Sequence, residues 1–123
     1  MVAQAALQAI AAFNLICTGT ARTGPVGLAM PEAGGEPFTI TYRVDLASRS
    51  WCSDECAATE TLALVTDTEF LLREDHRANG SHVIIVGRQL GLFADTFIDG
   101  ATATLRSGRC EQAPFTGFPI PSA

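Results

Sequence analysis

Apolar and polar residues alternate over residues 38–46, and this alternation constrains the fold more than any other feature of the sequence. Every second position is apolar, namely Phe38, Ile40, Tyr42, Val44 and Leu46. Because successive side chains of a β-strand point to opposite faces of a sheet, the pattern predicts a strand with one buried and one solvated face. Residues 13–18 alternate in the same way. No segment after residue 12 shows helical periodicity, so we predict an all-β fold.

Two dipeptides in the second half of the chain mark β-hairpins. They are Asn79-Gly80 and Asp99-Gly100, each placed between two segments with the composition of strands. Both dipeptides favour the two-residue turn that joins antiparallel strands, because they tolerate positive φ. The sequence therefore predicts strands at residues 69–78, 81–88, 92–98 and 101–107.

The number and spacing of these segments indicate the architecture. Adding residues 61–65 and a short strand near Arg109, we expect about seven antiparallel strands in a single small meander that forms a barrel or sandwich. A chain of 123 residues is long enough for one such domain. We place this disulfide-stabilised β domain at residues 13–123. Four glycines and three prolines within residues 24–37 predict a long loop there.

The N-terminal apolar segment, residues 1–12, is interpreted separately. It is rich in alanine and carries no charge. Two interpretations stay open: a short helix, or a truncated signal peptide, since Ala9-Ile10-Ala11 has the small-x-small form of a cleavage site. Polar residues from Asn14 onward interrupt the apolar run well short of a bilayer's thickness, so no transmembrane span is expected.

The charged residues exclude several classes of function. All eight basic residues are arginine, and the formal net charge is −5. Without lysine, the chain lacks the phosphate-binding lysine of P-loop proteins and the lysine that forms a Schiff base. Its arginines are scattered singly, so no nucleic acid partner is expected. With no nucleophile-elbow or dinucleotide-binding motif, we expect no enzyme, no catalytic or metal site and no cofactor.

Four cysteines allow three disulfide pairings. Cys52 and Cys56 are close enough in sequence for a local bridge across a turn, which leaves Cys17 for Cys110. We expect both bridges, with Cα separations of about 4.4 to 6.8 Å. They imply an oxidising compartment, so that the protein is periplasmic or secreted. Two alternatives stay open: a zinc site made by all four cysteines, and reduced cysteines in a cytoplasmic protein.

Trp51 and the two histidines are assigned structural roles. We expect the Trp51 ring to lie against the Cys52–Cys56 bridge at one end of the barrel, as a packing residue. Pairing about Asn79-Gly80 places His76 and His82 on opposite faces of the hairpin, so the two imidazoles do not form a metal site and are expected as lone surface groups.

The hairpin at Asp99-Gly100 presents one small apolar face and one polar face that carries two phenylalanines. The polar face holds Phe93, Asp95, Phe97 and Arg106, with Phe93 expected opposite Arg106. We expect the tail, residues 113–119, to fold back over both rings. In the alternative interpretation the rings form a binding surface for a protein or a small apolar ligand, with Asp95 and Arg106 as its polar groups.

Several motifs together resemble a family of small uncharacterised β-rich proteins of high-GC bacteria. They are FNLICTGT at residues 13–20, YRVDL at 42–46, WCSDEC at 51–56, GRC at 108–110 and PFTGFP at 114–119. The resemblance implies a common β fold and no activity. In architecture only, the chain is also similar to small periplasmic lysozyme-inhibitor barrels that have a cysteine in the first strand.

These observations favour a non-enzymatic envelope or secreted binding module, whose partner is a protein or a small apolar ligand. Two further interpretations stay open. One is a cytosolic structural or interaction protein with reduced cysteines, and the other is a periplasmic inhibitor-like barrel.

Overall fold

The computed structural model describes residues 11–26, 35–54 and 56–118, which form nine strands in one antiparallel sheet. These residues contain no helix, and the predicted all-β fold is confirmed. The strands are β1 (Ala12–Pro25), β2 (Glu36–Asp45), β3 (Ser50–Ser53), β4 (Glu60–Thr61), β5 (Leu64–Val65), β6 (Glu69–Arg77), β7 (Gly80–Gly87), β8 (Leu92–Asp99) and β9 (Thr102–Pro114).

The sheet curls into a half-barrel. Its strand order is β4-β3-β2-β1-β9-β8-β7-β6-β5, so the two edge strands are neighbours in sequence, joined by Leu62 and Ala63. Phe13 on β1 and Phe70 on β6 are separated by three strands of the sheet, yet their ring centroids lie 5.4 Å apart. The inner face therefore closes on itself and forms the core.

The alternation in residues 38–46 matches the core as predicted. Tyr42 and Val44 are fully buried, and Phe38, Ile40 and Leu46 pack against the core from its margin. Each of the remaining strands except β5 contains at least one buried side chain or, in the case of β4, is followed directly by the buried Leu62. The buried apolar cluster consists of Phe13, Leu15, Cys17, Tyr42, Val44, Trp51, Leu62, Phe70, Leu72, Ile84, Val86, Phe93 and Cys110.

The nine strands exceed the expected number of about seven, and they differ locally from the expected segments at three places. β3 is only four residues long, too short for alternation to reveal it. The strand expected at residues 61–65 is two short strands, because Leu62 leaves the ladder and donates its backbone N–H to the Arg49 carbonyl. The strands expected at residues 101–107 and near Arg109 are one continuous strand, β9.

Both hairpins form, with each turn displaced by one residue. The turn residues are Ala78-Asn79 and Gly100-Ala101, since Arg77 pairs with Gly80 and Asp99 with Thr102. Each register therefore shifts by two residues next to its turn, which leaves the side chains there on their predicted faces; a bulge between Leu71 and Arg73 shifts the register of β6 by one more residue beyond it. Phe93 consequently pairs with Gly108, and Arg106 pairs with Asp95 rather than with Phe93.

Gly80 has a different role from the expected one. Its φ is not positive, so the Asn79-Gly80 dipeptide does not form the predicted turn. A Cβ at Gly80 would instead overlap the backbone carbonyl of Ile98 on β8. Glycine is required there because β7 and β8 approach closely at this point.

The N-terminal predictions lie mostly outside the described residues. The helix or signal remnant expected at residues 1–12 cannot extend to Ala12, which already belongs to β1. The two ends of the loop expected at residues 24–37 belong to strands instead, because β1 continues to Pro25 and β2 begins at Glu36, and residues 27–34 lie outside the described residues. Among the residues described, no helix is long and apolar enough to cross a membrane.

Both expected disulfides are present, and all four cysteines are used. Cys52 and Cys56 have a Cα separation of 5.0 Å, within the predicted range. Cys17 and Cys110 lie directly opposite each other on β1 and β9, and their Cα separation of 3.9 Å is shorter than predicted. The backbones of β1 and β9 can approach because the next pair on the same face, Gly19 and Gly108, has no side chains.

Trp51 is buried, as a packing residue should be, and its ring contacts Tyr42 and Arg73. The ring meets Tyr42 edge-on at 5.8 Å between centroids, and the guanidinium of Arg73 lies 5.5 Å from the ring centroid. Cys52, the next residue in the strand, pairs with Arg43 and alternates to the other face of the sheet. Trp51, Cys52 and Cys56 nevertheless line one recess of about 470 Å³, and the expected contact of the ring with the bridge stays a prediction.

Candidate functional site

Phe93, one of the two phenylalanines expected on a polar face, belongs to the core. It is only 3% exposed, and its ring contacts Phe38 and Tyr42 of β2 at centroid distances of 5.9 and 5.8 Å. Two strands separate β2 from β8 in the sheet, so these contacts exist because the sheet curls. The face that the sequence pattern predicted to be polar is the inner face of the half-barrel.

The C-terminal tail covers a different surface from the one expected. Thr116 and Asn14 are joined by two hydrogen bonds, one to the Thr116 hydroxyl and one from its backbone N–H. Arg43 donates to the carbonyl oxygen of Gly117 at 2.8 Å. Asn14 and Arg43 are paired residues that point outward from β1 and β2, so the tail crosses the outer face.

The tail's own rings pack on each other. The centroids of Phe115 and Phe118 are 5.3 Å apart in an edge-to-face arrangement. Phe97 is consequently left 44% exposed, with the edge of the His82 imidazole as its aromatic neighbour at 5.0 Å. The expectation that the tail covers Phe93 and Phe97 is wrong, because Phe93 is covered by the curl and Phe97 stays open.

An open cavity of about 450 Å³ lies in front of the Phe97 ring. Its lining comes from the inner face of three consecutive strands, β7, β8 and β9, and we call it the Phe97 cleft. The register brings these side chains together, because His82 pairs with Phe97 and Phe97 with Thr104, while Asp95 pairs with Arg106. The lining residues are His82, Asp95, Phe97, Thr104 and Arg106.

Asp95 is the buried polar centre of the Phe97 cleft. The residue is 7% exposed, and its two carboxylate oxygens point to different partners. His82 Nε2 donates to Oδ1 at 2.8 Å, and Arg106 Nη1 lies 3.9 Å from Oδ2. A buried carboxylate needs such partners to offset its loss of hydration. Asp95 therefore holds His82 and Arg106 in place around the Phe97 ring.

Arg106 is held by stacking and charge rather than by hydrogen bonds. Its guanidinium lies 5.7 Å from the centroid of the Phe38 ring, and its side chain is 41% exposed. The separation of 3.9 Å from Asp95 is too long for a hydrogen bond. Within the described part of the chain, no acceptor takes a hydrogen bond from this guanidinium.

A second recess of about 680 Å³ continues from the Phe97 cleft toward the β6–β7 turn and shares His82 and Phe97 with it. Arg73 and Asp75 line this recess, and Asp75 is the cross-strand partner of His82. Together the two recesses form one concave opening at the hairpin end of the half-barrel. Their formal charges balance, with Arg73, Arg77 and Arg106 against Asp75, Asp95 and Asp99.

Arg73 differs from Arg106 because both terminal amino groups of its guanidinium are paired with carboxylates. It lies 2.8 Å from Glu60 and 2.9 Å from Asp75, in addition to its contact with Trp51. Burial alone would lower the pKa of Arg73, but the hydrogen bonds and charges of Asp75 and Glu60 outweigh it and raise the pKa. Arg73 thus ties β6 to β4 and leaves few donors for a ligand.

The sequence pattern did not predict that His82 and Arg73 belong to this opening. His82 was expected as a lone surface group, although it shares its face with Ile84 and Val86, which are buried. The alternation of His82 with these two apolar residues could have predicted that His82 faces inward. Arg73 faces inward because the register shifts between Leu71 and Arg73, and nothing in the sequence marks this bulge. The prediction that His76 and His82 lie on opposite faces agrees with the observed pairing.

The surroundings of His82 among the described residues can be compared with those of catalytic and metal-binding histidines. No hydroxyl or thiol of the described residues hydrogen-bonds to His82, so its pair with Asp95 lacks the nucleophile of a hydrolase triad. Nor do these residues contain a group of three or more metal-ligating side chains. In comparisons with known proteins, no family model, no curated protein and no solved structure matches the chain.

Proposed function

We propose that this protein is a non-enzymatic binding module and that the Phe97 cleft is its binding surface. The observation that carries the proposal is the Phe97 ring, which stays 44% exposed on the concave face of the sheet, whereas the other inner phenylalanine, tyrosine and tryptophan rings are buried or, at Phe38, partly buried. Binding sites are concave and largely apolar, with a few placed polar groups. Phe97 supplies the apolar surface, and Asp95, His82 and Arg106 supply the polar groups.

The polar groups of the Phe97 cleft are organised before any ligand arrives. Asp95 is buried and shared between His82 and Arg106, and Arg106 is also supported by the Phe38 ring. Preorganised side chains lose little conformational entropy on binding, which increases affinity. Covering the exposed half of a phenylalanine ring adds roughly 1 kcal/mol. Both effects support a binding function over a purely structural one.

The two disulfides support an envelope or secreted location, because disulfides are typical of oxidising compartments. The rival proposal, a cytosolic interaction protein, requires all four cysteines to be reduced. Blocking free thiols in the protein as isolated from its own host, before denaturation, distinguishes the two. We expect no labelled cysteine, and four labelled cysteines would contradict the proposed location.

The binding surface is tested with the fluorescence of anilinonaphthalene sulfonate, a probe that brightens on apolar surfaces. We compare Phe97→Ala with Leu90→Ala, since Leu90 is 65% exposed and lies outside the Phe97 cleft. Each variant removes one exposed apolar side chain. Loss of probe fluorescence in Phe97→Ala alone, with both variants folded, is the expected result. Equal fluorescence in both variants and the unchanged protein would contradict the proposal.

A further inference from the structure

We infer that the Phe97 cleft selects ligands that carry both a carboxylate and an aromatic or aliphatic group, with Arg106 binding the carboxylate and Phe97 the apolar group. This inference rests on the proposed function and adds the class of ligand to it. The ligand class follows from which hydrogen-bond donors of the cleft already have partners and which do not.

Arg106 has the unused donors. A guanidinium offers five N–H groups in a planar fork that matches the two oxygens of a carboxylate. Within the described residues this fork makes no hydrogen bond, and the Phe38 ring on one side together with Asp95 at 3.9 Å keeps it in place. A carboxylate can therefore approach its exposed edge and form two charge-assisted bonds.

The other polar groups of the Phe97 cleft are engaged with their neighbours, and so is Arg73 beside it. Oδ1 of Asp95 takes the His82 bond, and the Thr104 hydroxyl is paired with the hydroxyl of Thr23 at 3.1 Å. Arg73 is bonded to Glu60 and Asp75. Arg106 is thus the cation of the Phe97 cleft whose donors are both held in position and available.

The spacing of Arg106 and Phe97 sets the size of the ligand. Phe97 pairs with Thr104, and Arg106 is two residues further along β9 on the same face. Diagonal neighbours of this kind are about 7 Å apart. A carboxylate and a phenyl ring joined by two or three bonds span such a distance, as in 3-phenylpropanoate or N-acetylphenylalanine.

The surrounding charge favours a single carboxylate over a multivalent anion. Asp95 adjoins Arg106 within the cleft, and the whole chain carries a net charge of −5. A phosphate with two negative charges is repelled by both. Apolar contact with Phe97 is therefore needed to supplement the one ion pair.

The test compares matched probes in amide chemical-shift titrations of the full chain. N-acetylphenylalanine and its carboxamide differ only in the charged group, and we expect the acid to bind at least about tenfold more tightly. Arg106→Gln should remove this preference. Arg109→Gln, an exposed arginine of the same strand that does not line the cleft, makes the same change in net charge and should keep it. 3-Phenylpropanoate has the same carboxylate and ring as N-acetylphenylalanine but no amide group. Comparing the two acids therefore distinguishes recognition of a free acid from recognition of a C-terminal residue.

Each contrary outcome has its own meaning. Equal binding of acid and carboxamide, with both lost in Phe97→Ala, would overturn the carboxylate inference and leave the proposed binding surface intact. Inorganic phosphate that displaces the acid would show a general anion site and would also overturn it. If neither probe shifts residues of the cleft, the inference fails, and the proposed function is judged separately by the fluorescence of the Phe97→Ala and Leu90→Ala variants.

Discussion

Gly19 on β1 and Gly108 on β9 lie directly opposite each other, and the rings of Phe38 and Phe93 meet across them. The four residues form one row of the sheet, on β2, β1, β9 and β8. The ring centroids are 5.9 Å apart although two strands lie between them. The missing side chains of the two glycines allow both the close approach of β1 and β9 and the contact between the rings that buries Phe93.

Replacing one of these glycines should therefore disrupt the sheet. A Cβ at Gly108 would overlap the backbone of Thr18 and Gly19, which cannot move aside without shifting β1. We expect Gly108→Ala to lower the free energy of unfolding by about 2 kcal/mol or more. The control is Gly87→Ala, whose Cβ would meet its nearest atom, the Leu92 carbonyl oxygen, at 3.8 Å.

Urea denaturation of the two variants measures this difference. Gly87→Ala should change stability by no more than about 1 kcal/mol, because alanine is accommodated in a strand at least as well as glycine. Equal stability of Gly108→Ala and Gly87→Ala would contradict the role assigned to the glycine pair.

The buried Tyr42 should make the free energy of unfolding decrease at alkaline pH. Burial, with the nearby Asp95 carboxylate adding to it, raises the pKa of Tyr42 well above its ordinary value. Tyr42 therefore ionises at a lower pH in the unfolded chain than in the folded protein. Its contribution to the free energy of unfolding is complete below pH about 10 and declines by about 1.4 kcal/mol per pH unit above it. The chain has no lysine and a single tyrosine, and its cysteines are bonded. The decline is therefore attributable to Tyr42.

The measurement is urea denaturation of the unchanged protein and Tyr42→Phe across this pH range. The Tyr42 hydroxyl is buried and has no hydrogen-bond partner in the described part of the structure. Tyr42→Phe should thus fold normally and show no decline up to the pH at which arginines titrate. The same decline in both proteins would show that Tyr42 is not its cause.

The two disulfides should contribute unequally. The Cys17–Cys110 bridge closes a loop of 93 residues, whereas Cys52–Cys56 closes one of 4. The chain-entropy model assigns them about 4 to 5 and about 2 kcal/mol, respectively. Denaturation of the Cys17→Ala/Cys110→Ala and Cys52→Ala/Cys56→Ala double variants compares them. A larger loss from the second pair would mean that local structure, not loop closure, controls stability.

The position of the tail predicts that it stabilises the fold without taking part in binding. Deleting residues 115–123 removes the hydrogen bonds to Asn14 and Arg43 on the outer face. We expect a loss of about 2 kcal/mol and unchanged binding of anilinonaphthalene sulfonate. Asn14→Ala, which removes two of these bonds and keeps the tail, should cost less. Loss of probe binding with unchanged stability would place the tail at the binding site instead.

Local patterns predicted the elements of this fold well, because they depend on neighbours in sequence. The alternation around Tyr42 and the turns near Asn79 and Gly100 each report a local preference that the structure retains to within one residue. The buried side of β8 was not predictable in this way. Phe93 is buried only because the sheet curls far enough to bring β2 over it, and that contact joins distant parts of the chain.

The candidate site was half predictable for the same reason. Asp95, Phe97 and Arg106 share a face by simple alternation, so the sequence placed them together. His82 lies beside these residues because β7 pairs with β8. Phe93 is not part of the site because the curl of the sheet buries it against β2. Both outcomes require the order of strands in the sheet, which alternation and turn residues do not encode.

The most direct test of a binding surface on the inner face is to locate a bound ligand by amide chemical shifts, with 3-phenylpropanoate as the probe. The predicted result is that the largest shifts fall on the residues of the Phe97 cleft, above all Phe97 and Arg106. Shifts centred on the outer face near Asn14 and Thr116 would contradict a binding surface on the inner face, and no shifts at all would contradict the carboxylate ligand class.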